Sequence, residues 1–543
     1  MSHGRWGWGI QWHRRLGLAA GIAALVGVGV LDGVTRAAEA VEQVELIAPF
    51  SNAIYTIRVA ELANSQALLS GTSDLAELDR ALNGAIGKQL IEVFHKPLPL
   101  SEGAFDKDSG SPLLQQVLLM LAELGELDGL HTNEMDAAAL AKAVDQASAG
   151  GQITMLSLLQ ALPGKTVRVD LPKVVQGISR NAQQRVVTNK LLKTGVPISA
   201  DPSLAKPGPN AVIHRELSLA VGHRPLPITL VVLQPQANPN GRLVVISHGL
   251  WDSPTNFEGW ARHLASYGYT VVLPVHPGSD QKQQRAMLAG EAPPPTPEEL
   301  RQRPMDVSAV LDGIAAGKLA GVQGIQVQST VVVGHSWGAI TALQLAGGRS
   351  SSGPLRQHCG DLHKPERSLS WILQCSFVST ADAPPQPDAR VKSVVAVSPP
   401  IGLLFSPDAV QGIQARVLLV SGSNDWVVPP DPEALIPFSQ SPAFGHRLVL
   451  VKGGDHFNMR APAKPNSPAK TTSPAKANSL AKPPPAAVLS PLILAWVNGT
   501  FAAGNQALPA AGAPSLLPPS GWGSAVMPMV DVTVEQAARV VAP

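Results

Sequence analysis

From residue 211 onward, runs of apolar and β-branched residues alternate with stretches whose apolar positions recur every three or four residues. The runs at 212–221, 227–233, 243–247, 270–275, 391–397, 417–420 and 447–451 read as strands, and a further run leads into residue 334. Between them, 257–267, 297–314 and the Ala-rich stretch after 336 read as helices, with a short closing helix at 491–497. Parallel strands need long crossover connections, and helices supply them. The alternation therefore predicts an α/β architecture: a mostly parallel sheet with helices on both faces.

Residues 41–170 follow a different pattern. Strand-like pieces at 44–47 and 53–59 precede Leu75, Leu78, Leu82, Ile86 and Leu90, which share one helical face behind a Ser73 or Asp74 cap. Ser111-Pro112 opens a second helix, apolar around most of its circumference; Asn133 caps a third, and 153–162 gives a fourth. This segment reads as a mainly helical domain that packs rather than reacts, and its position predicts a cover over the domain that follows.

Residues 171–210 read as a linker, helical over 173–192 and irregular around Pro202, Pro207 and Pro209. The α/β domain then spans 211–503. It carries a lid-like insertion at 347–390, where Trp371-Ile372-Leu373 offers an apolar lining. A Pro/Ala/Lys/Ser-rich stretch at 461–487 has too little apolar surface to order itself. Residues 504–543 read as a poorly ordered tail.

Composition narrows the function. The 543 residues exceed what one core holds, and 45% hydrophobic with 15% charged residues is a globular balance. A net charge of +2 leaves no dense basic face, which excludes nucleic acid as a partner. The lysines of 461–487 offer at most a weak contact with an anionic membrane surface, the alternative being a solvated spacer. Nothing in the sequence specifies an oligomeric state. Arg14-Arg15, the apolar run 16–31 and Ala38-Glu39-Ala40 read as a signal peptide over 1–40, which predicts export to the periplasm or the exterior. An uncleaved membrane anchor is the alternative, although the run is short for a span of about 20 residues. The only cysteines, Cys359 and Cys375, lack metal-ligand spacing. In an oxidising compartment they can form a disulfide worth about 3 kcal/mol; two separate buried thiols are the alternative.

The chemistry converges on Thr330–Ile340, T-V-V-V-G-H-S-W-G-A-I. Gly334-His335-Ser336-Trp337-Gly338 is a G-x-S-x-G turn between a buried strand and a helix, the setting of a nucleophile elbow. Side chains at Gly334 and Gly338 would clash with the neighbouring strand and helix. A serine hydroxyl needs a base in hydrogen-bond reach and a group that orients that base. His456, after the last strand in Gly453-Gly454-Asp455-His456, is the candidate base. Asp425, in Ser421-Gly422-Ser423-Asn424-Asp425, is the candidate acid, with Asp280 next in line and Asp455 as a further carboxylate beside the base. The oxyanion hole falls to the backbone N–H groups of Trp337 and of Leu250 in His248-Gly249-Leu250. No metal or cofactor is implied.

These motifs resemble the α/β-hydrolase superfamily, and within it the platelet-activating factor acetylhydrolase and "predicted dienelactone hydrolase" branch of serine esterases. The resemblance rests on Val244 to Leu250, the run to His276, G-H-S-W-G, S-G-S-N-D and G-G-D-H, and covers roughly 211–500. Residues 41–170 resemble the helical domain of unknown function that precedes certain secreted bacterial hydrolases of this branch. Two departures stand out. Dienelactone hydrolases use a Cys where this chain has Ser336. Animal platelet-activating factor acetylhydrolases carry their acid after the strand that here ends in Val397-Ser398-Pro399-Pro400; no Asp stands there, which directs the role to Asp425. The resemblance implies an exported hydrolase of short-chain or lipid-like carboxylic esters. A peptidase or amidase with the same triad and a non-catalytic binding protein on the same fold are the alternatives.

Overall fold

The computed structural model describes residues 41–541 apart from 49–52, 86, 99, 101–110, 128–136, 361–363, 365–366, 407–411, 442–445, 461–486 and 505–514. The segment 1–40, Ile86, Asn133 and nearly all of the low-complexity stretch 461–487 therefore lie outside the described residues. Two compact units emerge, one within Met1–Ile178 plus Arg285–Pro294 and the other within Ser179–Gln284 plus Pro295–Pro543.

The first unit combines helices with a sheet. Strands β1 (Gln43–Ile47), β2 (Ile54–Arg58), β3 (Gly125–Leu127) and β4 (Thr166–Asp170) pair in the order β2-β1-β4-β3, with only β1 and β4 parallel. Val44, Ile57, Val167 and Val169 turn into one core with Val144 and Leu158 from the helices Ala137–Ser148 and Met155–Ala161. The domain is mainly helical, as expected, and its helices pack on a small sheet. Its strands are three to five residues long, too short to register strongly as alternation. The helix expected to run through Leu90 is also two, Asp74–Ala81 and Gly87–Phe94. Asn83 and Gly84, at φ 53 and 77, break it, and Asp79 Oδ1 accepts the Gly87 N–H at 2.7 Å.

The second unit is the α/β body. Its strands are β5 (Val212–Leu219), β6 (Ile228–Pro235), β7 (Arg242–Ser247), β8 (Thr270–Pro274), β9 (Gln326–His335), β10 (Val391–Val397), β11 (Arg416–Gly422), β12 (Arg447–Val451) and β13 (Met529–Val532). They form one nine-stranded sheet in the order β13-β12-β11-β10-β9-β7-β8-β6-β5. The six strands from β12 to β8 in that order are parallel; the outer ones are antiparallel. Successive valines of β9 serve opposite faces: Val332 packs with the helix Trp337–Leu345, while Val331 and Val333 pack with Trp260 and Trp496 of the helices Glu258–Ser266 and Ser490–Ala503. β13 and the helix Val534–Val541 occupy the stretch expected to be a poorly ordered tail. Four residues after a Pro- and Gly-rich run gave little signal, and pairing with β12 is what orders them. Among the described residues no helix is long and apolar enough to cross a membrane.

Candidate active site

β9 ends at His335 and the next helix begins at Trp337, which leaves Ser336 alone on the turn. Its backbone lies at φ 54 and ψ −121, a region that an L residue occupies only when its surroundings hold it there. The Ser336 N–H donates to the Val397 carbonyl at the end of β10, at 3.0 Å. Strand and helix close tightly around it. A Cβ on Gly334 would fall 2.0 Å from the Gly338 carbonyl oxygen, and one on Gly338 would fall 2.0 Å from that of Ser247. Both glycines are required for close approach.

Asp425 and His456 stand on the loops after β11 and β12. Asp425 is fully buried, and its Oδ1 accepts the N–H groups of Val427 and Val428 at 3.1 and 2.8 Å. That leaves Oδ2 for His456 Nδ1, at 3.0 Å. The loop after β12 folds back at Gly453, φ 78, and crosses so near β11 that a Cβ on Gly422 would lie 2.3 Å from the Gly454 carbonyl oxygen. With Nδ1 donating to Asp425, Nε2 is the nitrogen left to take a proton. Asp455 serves the backbone instead. Its Oδ1 accepts the N–H groups of Phe457 and Asn458, which shapes the turn that presents His456. Asp280 accepts the Gln283 N–H at 2.7 Å and so starts a helical turn.

His335 ties these parts together. Its ring lies 4.7 Å from that of His456, and its Nε2 donates to the His456 carbonyl at 2.7 Å. Burial first, and then the neighbouring His456 and Arg460, keep its pKa well below the usual histidine range.

The loop after β7 passes over Ser336. A Cβ on Gly249 would lie 3.2 Å from Ser336 Cβ. Among the described residues, neither the Leu250 nor the Trp337 N–H has a hydrogen-bond acceptor, whereas the Trp251 N–H donates to the Ser279 carbonyl at 2.7 Å. On the other side, the Trp337 Nε1–H donates to the Leu373 carbonyl at 3.2 Å, and the Trp337 ring lies 4.5 Å from that of Phe377. The insertion 347–390 therefore packs against Trp337, the residue next to Ser336. A disulfide joins Cys359 to Cys375 within it. Trp371 and Ile372 are buried in its core and only Leu373 is part-exposed.

One group of residues escaped sequence reasoning. Asp306, completely buried, accepts from His223 (2.7 Å), Arg224 (2.7 and 3.0 Å) and His276 (2.8 Å). Burial pushes its carboxyl up, but the bonds from His223, His276 and Arg224 outweigh this and keep it ionised. His276 Nε2 accepts from Ser247 Oγ at 2.9 Å, and burial, then Arg303, lowers its pKa to about 4. Ser247, His276 and Asp306 thus repeat the order of a nucleophile, base and acid. They differ from Ser336 in setting: Ser247 ends a regular strand at full burial, and Asp306 is already shared with His223 and Arg224. A signal did exist. Glu299, Arg303 and Asp306 recur at helical spacing beside the core positions Leu300, Val307 and Val310 of one helix, Glu299–Ala315. Among the described residues no group of three or more His, Cys, Asp or Glu is placed to hold a metal ion.

Comparison with known families agrees with this architecture. Residues 243–465 match the model described as "Alpha/beta hydrolase family", and residues 40–170 match "Alpha/beta hydrolase of unknown function (DUF1400)". The chain therefore carries alpha/beta hydrolase family domains, and its fold is that of an α/β-hydrolase preceded by a smaller helical and stranded region. That family supports a hydrolytic function in general. No curated protein matches the chain.

Proposed function

We propose that the protein is an exported serine hydrolase of carboxylic esters, short-chain or lipid-like, in which Ser336, His456 and Asp425 form the catalytic triad. The observation that carries this reading is the positive-φ Ser336, at a strand-to-helix turn flanked by two unengaged amides. In this reading Ser336 Oγ attacks the ester carbonyl and His456 Nε2 takes its proton. Asp425 fixes the tautomer and faces the imidazolium. Negative charge collects on the carbonyl oxygen, where the Leu250 and Trp337 N–H groups meet it. His456 then gives the proton to the departing alcohol, and the acyl-enzyme is cleared by water with His456 again as base.

The insertion against Trp337 forms the acyl side, which favours apolar substrates. A disulfide within it supports an oxidising compartment, and so supports export. The resemblance to serine esterases of the acetylhydrolase branch favours esters over peptides.

A fluorophosphonate probe tests the chemistry. The wild type should label and Ser336→Ala should not; equal labelling of the two, or none of either, overturns the assignment. Turnover of p-nitrophenyl esters of increasing chain length, beside a peptide panel, then reads the substrate class. Cleavage of peptides alone would overturn the ester reading.

A further inference from the structure

The loop that crosses Ser336 rests on a buried imidazole with a single permitted proton arrangement. His248 Nε2 lies 3.1 Å from the backbone N–H of His276, which can only donate. His248 Nε2 must therefore be bare, and the ring proton is on Nδ1. That Nδ1–H donates to the Gly249 carbonyl at 2.7 Å. In a trans peptide the C=O and N–H of one unit point in opposite directions. Fixing the Gly249 oxygen therefore turns the Leu250 N–H away from the imidazole. We propose that His248 is a positioning residue for the oxyanion hole: held as the neutral Nδ1–H tautomer, it orients the Gly249–Leu250 peptide toward the reacting carbonyl. This rests on the esterase reading above and adds to it the residue that sets the donor's direction.

The surroundings of His248 make it rigid and keep it neutral. Its carbonyl accepts from Arg303 Nη2, and Arg303 Nη1 donates to Ser279 Oγ at 3.0 Å. Ser279 Oγ in turn donates to Glu299 Oε2 at 2.7 Å. Arg224 joins Glu299 and Asp306, at 2.5 and 2.7 Å, and Asp306 holds the His276 ring. Two buried arginines thus face two buried carboxylates, and the set is charge-balanced without His248. A proton on His248 would add a cation beside Arg303 and break the bond from His276. Burial first, then Arg303 and His276, hold the His248 pKa well below the usual range, with the Gly249 carbonyl and Asp306 opposing only in part. The same set fixes both ends of the loop, because the Trp251 N–H is bound to the Ser279 carbonyl.

Two measurements test the proposal. The first is on the wild type: ¹⁵N chemical shifts of the imidazole should show His248 with a protonated Nδ1 and a bare Nε2 from pH 5 to 9. An Nε2–H tautomer or an imidazolium in that range overturns the proposal, whatever happens to any variant. The second compares variants. His248→Asn keeps a donor near the Nδ1 position, whereas His248→Phe keeps bulk and donates nothing. His248→Phe should lose roughly tenfold to a hundredfold in kcat with KM near that of the wild type, and His248→Asn should recover most of it; a lost oxyanion donor costs up to 10²–10³. A trifluoromethyl ketone, whose adduct carries the oxyanion, should bind His248→Phe more weakly by the same factor. Equal loss in both variants, or a loss confined to KM, overturns the positioning role and leaves the esterase reading intact. A wild type that neither turns over esters nor takes up the ketone overturns both.

Discussion

His335 Nε2 donates to the main-chain carbonyl of His456 across 2.7 Å, so the residue beside Ser336 holds the backbone of the proposed base. The second position of the turn motif, free in the pattern, is therefore specified here by a contact 121 residues away in sequence. His335→Phe keeps a ring and removes the donor, which leaves a buried carbonyl unpaired at a cost of about 1–3 kcal/mol. We expect a lower urea midpoint and a severalfold drop in kcat with little change in KM. A variant matching the wild type in both would show that the contact does not hold the base.

Asp425→Asn separates orientation from folding. Asn Oδ1 can still accept the Val427 and Val428 N–H groups, so the loop should form. The amide at the other position cannot accept the His456 Nδ1 proton, and the ring loses its tautomer. We expect a normal melting curve with esterase kcat reduced by about 10⁴. Loss limited to a fewfold would move the acid role elsewhere.

The insertion depends on its crosslink. Cys359 and Cys375 are 16 apart in sequence, and closing a loop of that length contributes about 3 kcal/mol. The bonded Cys375 ends the helix Ser370–Cys375, whose Leu373 carbonyl receives the Trp337 indole. The double variant Cys359→Ala/Cys375→Ala should melt several degrees lower and shift its preference among ester chain lengths. Stability lost with an unchanged chain-length profile would separate the insertion from the acyl site.

His446 gives a pH signature remote from the chemistry. Its Nδ1 accepts the Val417 N–H at 3.0 Å, so the folded protein needs it neutral. Burial, and then Arg416, lower its pKa to about 4, against about 6.5 when unfolded. Because the folded value is the lower one, the unfolded chain binds this proton first as pH falls. The stabilisation is complete above pH 6.5 and is lost progressively toward pH 4, by up to about 3 kcal/mol. His446→Asn, which keeps an acceptor and does not titrate, should flatten the urea midpoint between pH 6.5 and 4 without changing kcat.

Local patterns made much of the large sheet legible. Val331 to Val333 and the strands ending at Ser247, Val397, Gly422 and Val451 are apolar runs that need no partner to be recognised. The turn glycines, Ser336, Asp425 and His456 stood out because each lies just after such a run. Features made by assembly did not stand out. β13 takes its place by pairing with β12, and β3 is three residues long. The group around Asp306 draws on His223, Arg224 and His276 from separate stretches of chain. Each of those residues reads alone as an ordinary polar position; their roles follow from the need to pair charges once buried.

β9 is the fifth of nine strands, bonded to β7 on one side and β10 on the other. Successive amides along Val331–Val333 bond to opposite neighbours, so exchange of the whole set requires the sheet to open on both sides and reports a deep opening of this unit. The strained turn at Ser336 is attached to that strand and has no softer route to relax. Heat should leave activity nearly intact up to the melting of the sheet and then abolish both together, with no earlier stage in which the reactive turn slackens while the body stays folded.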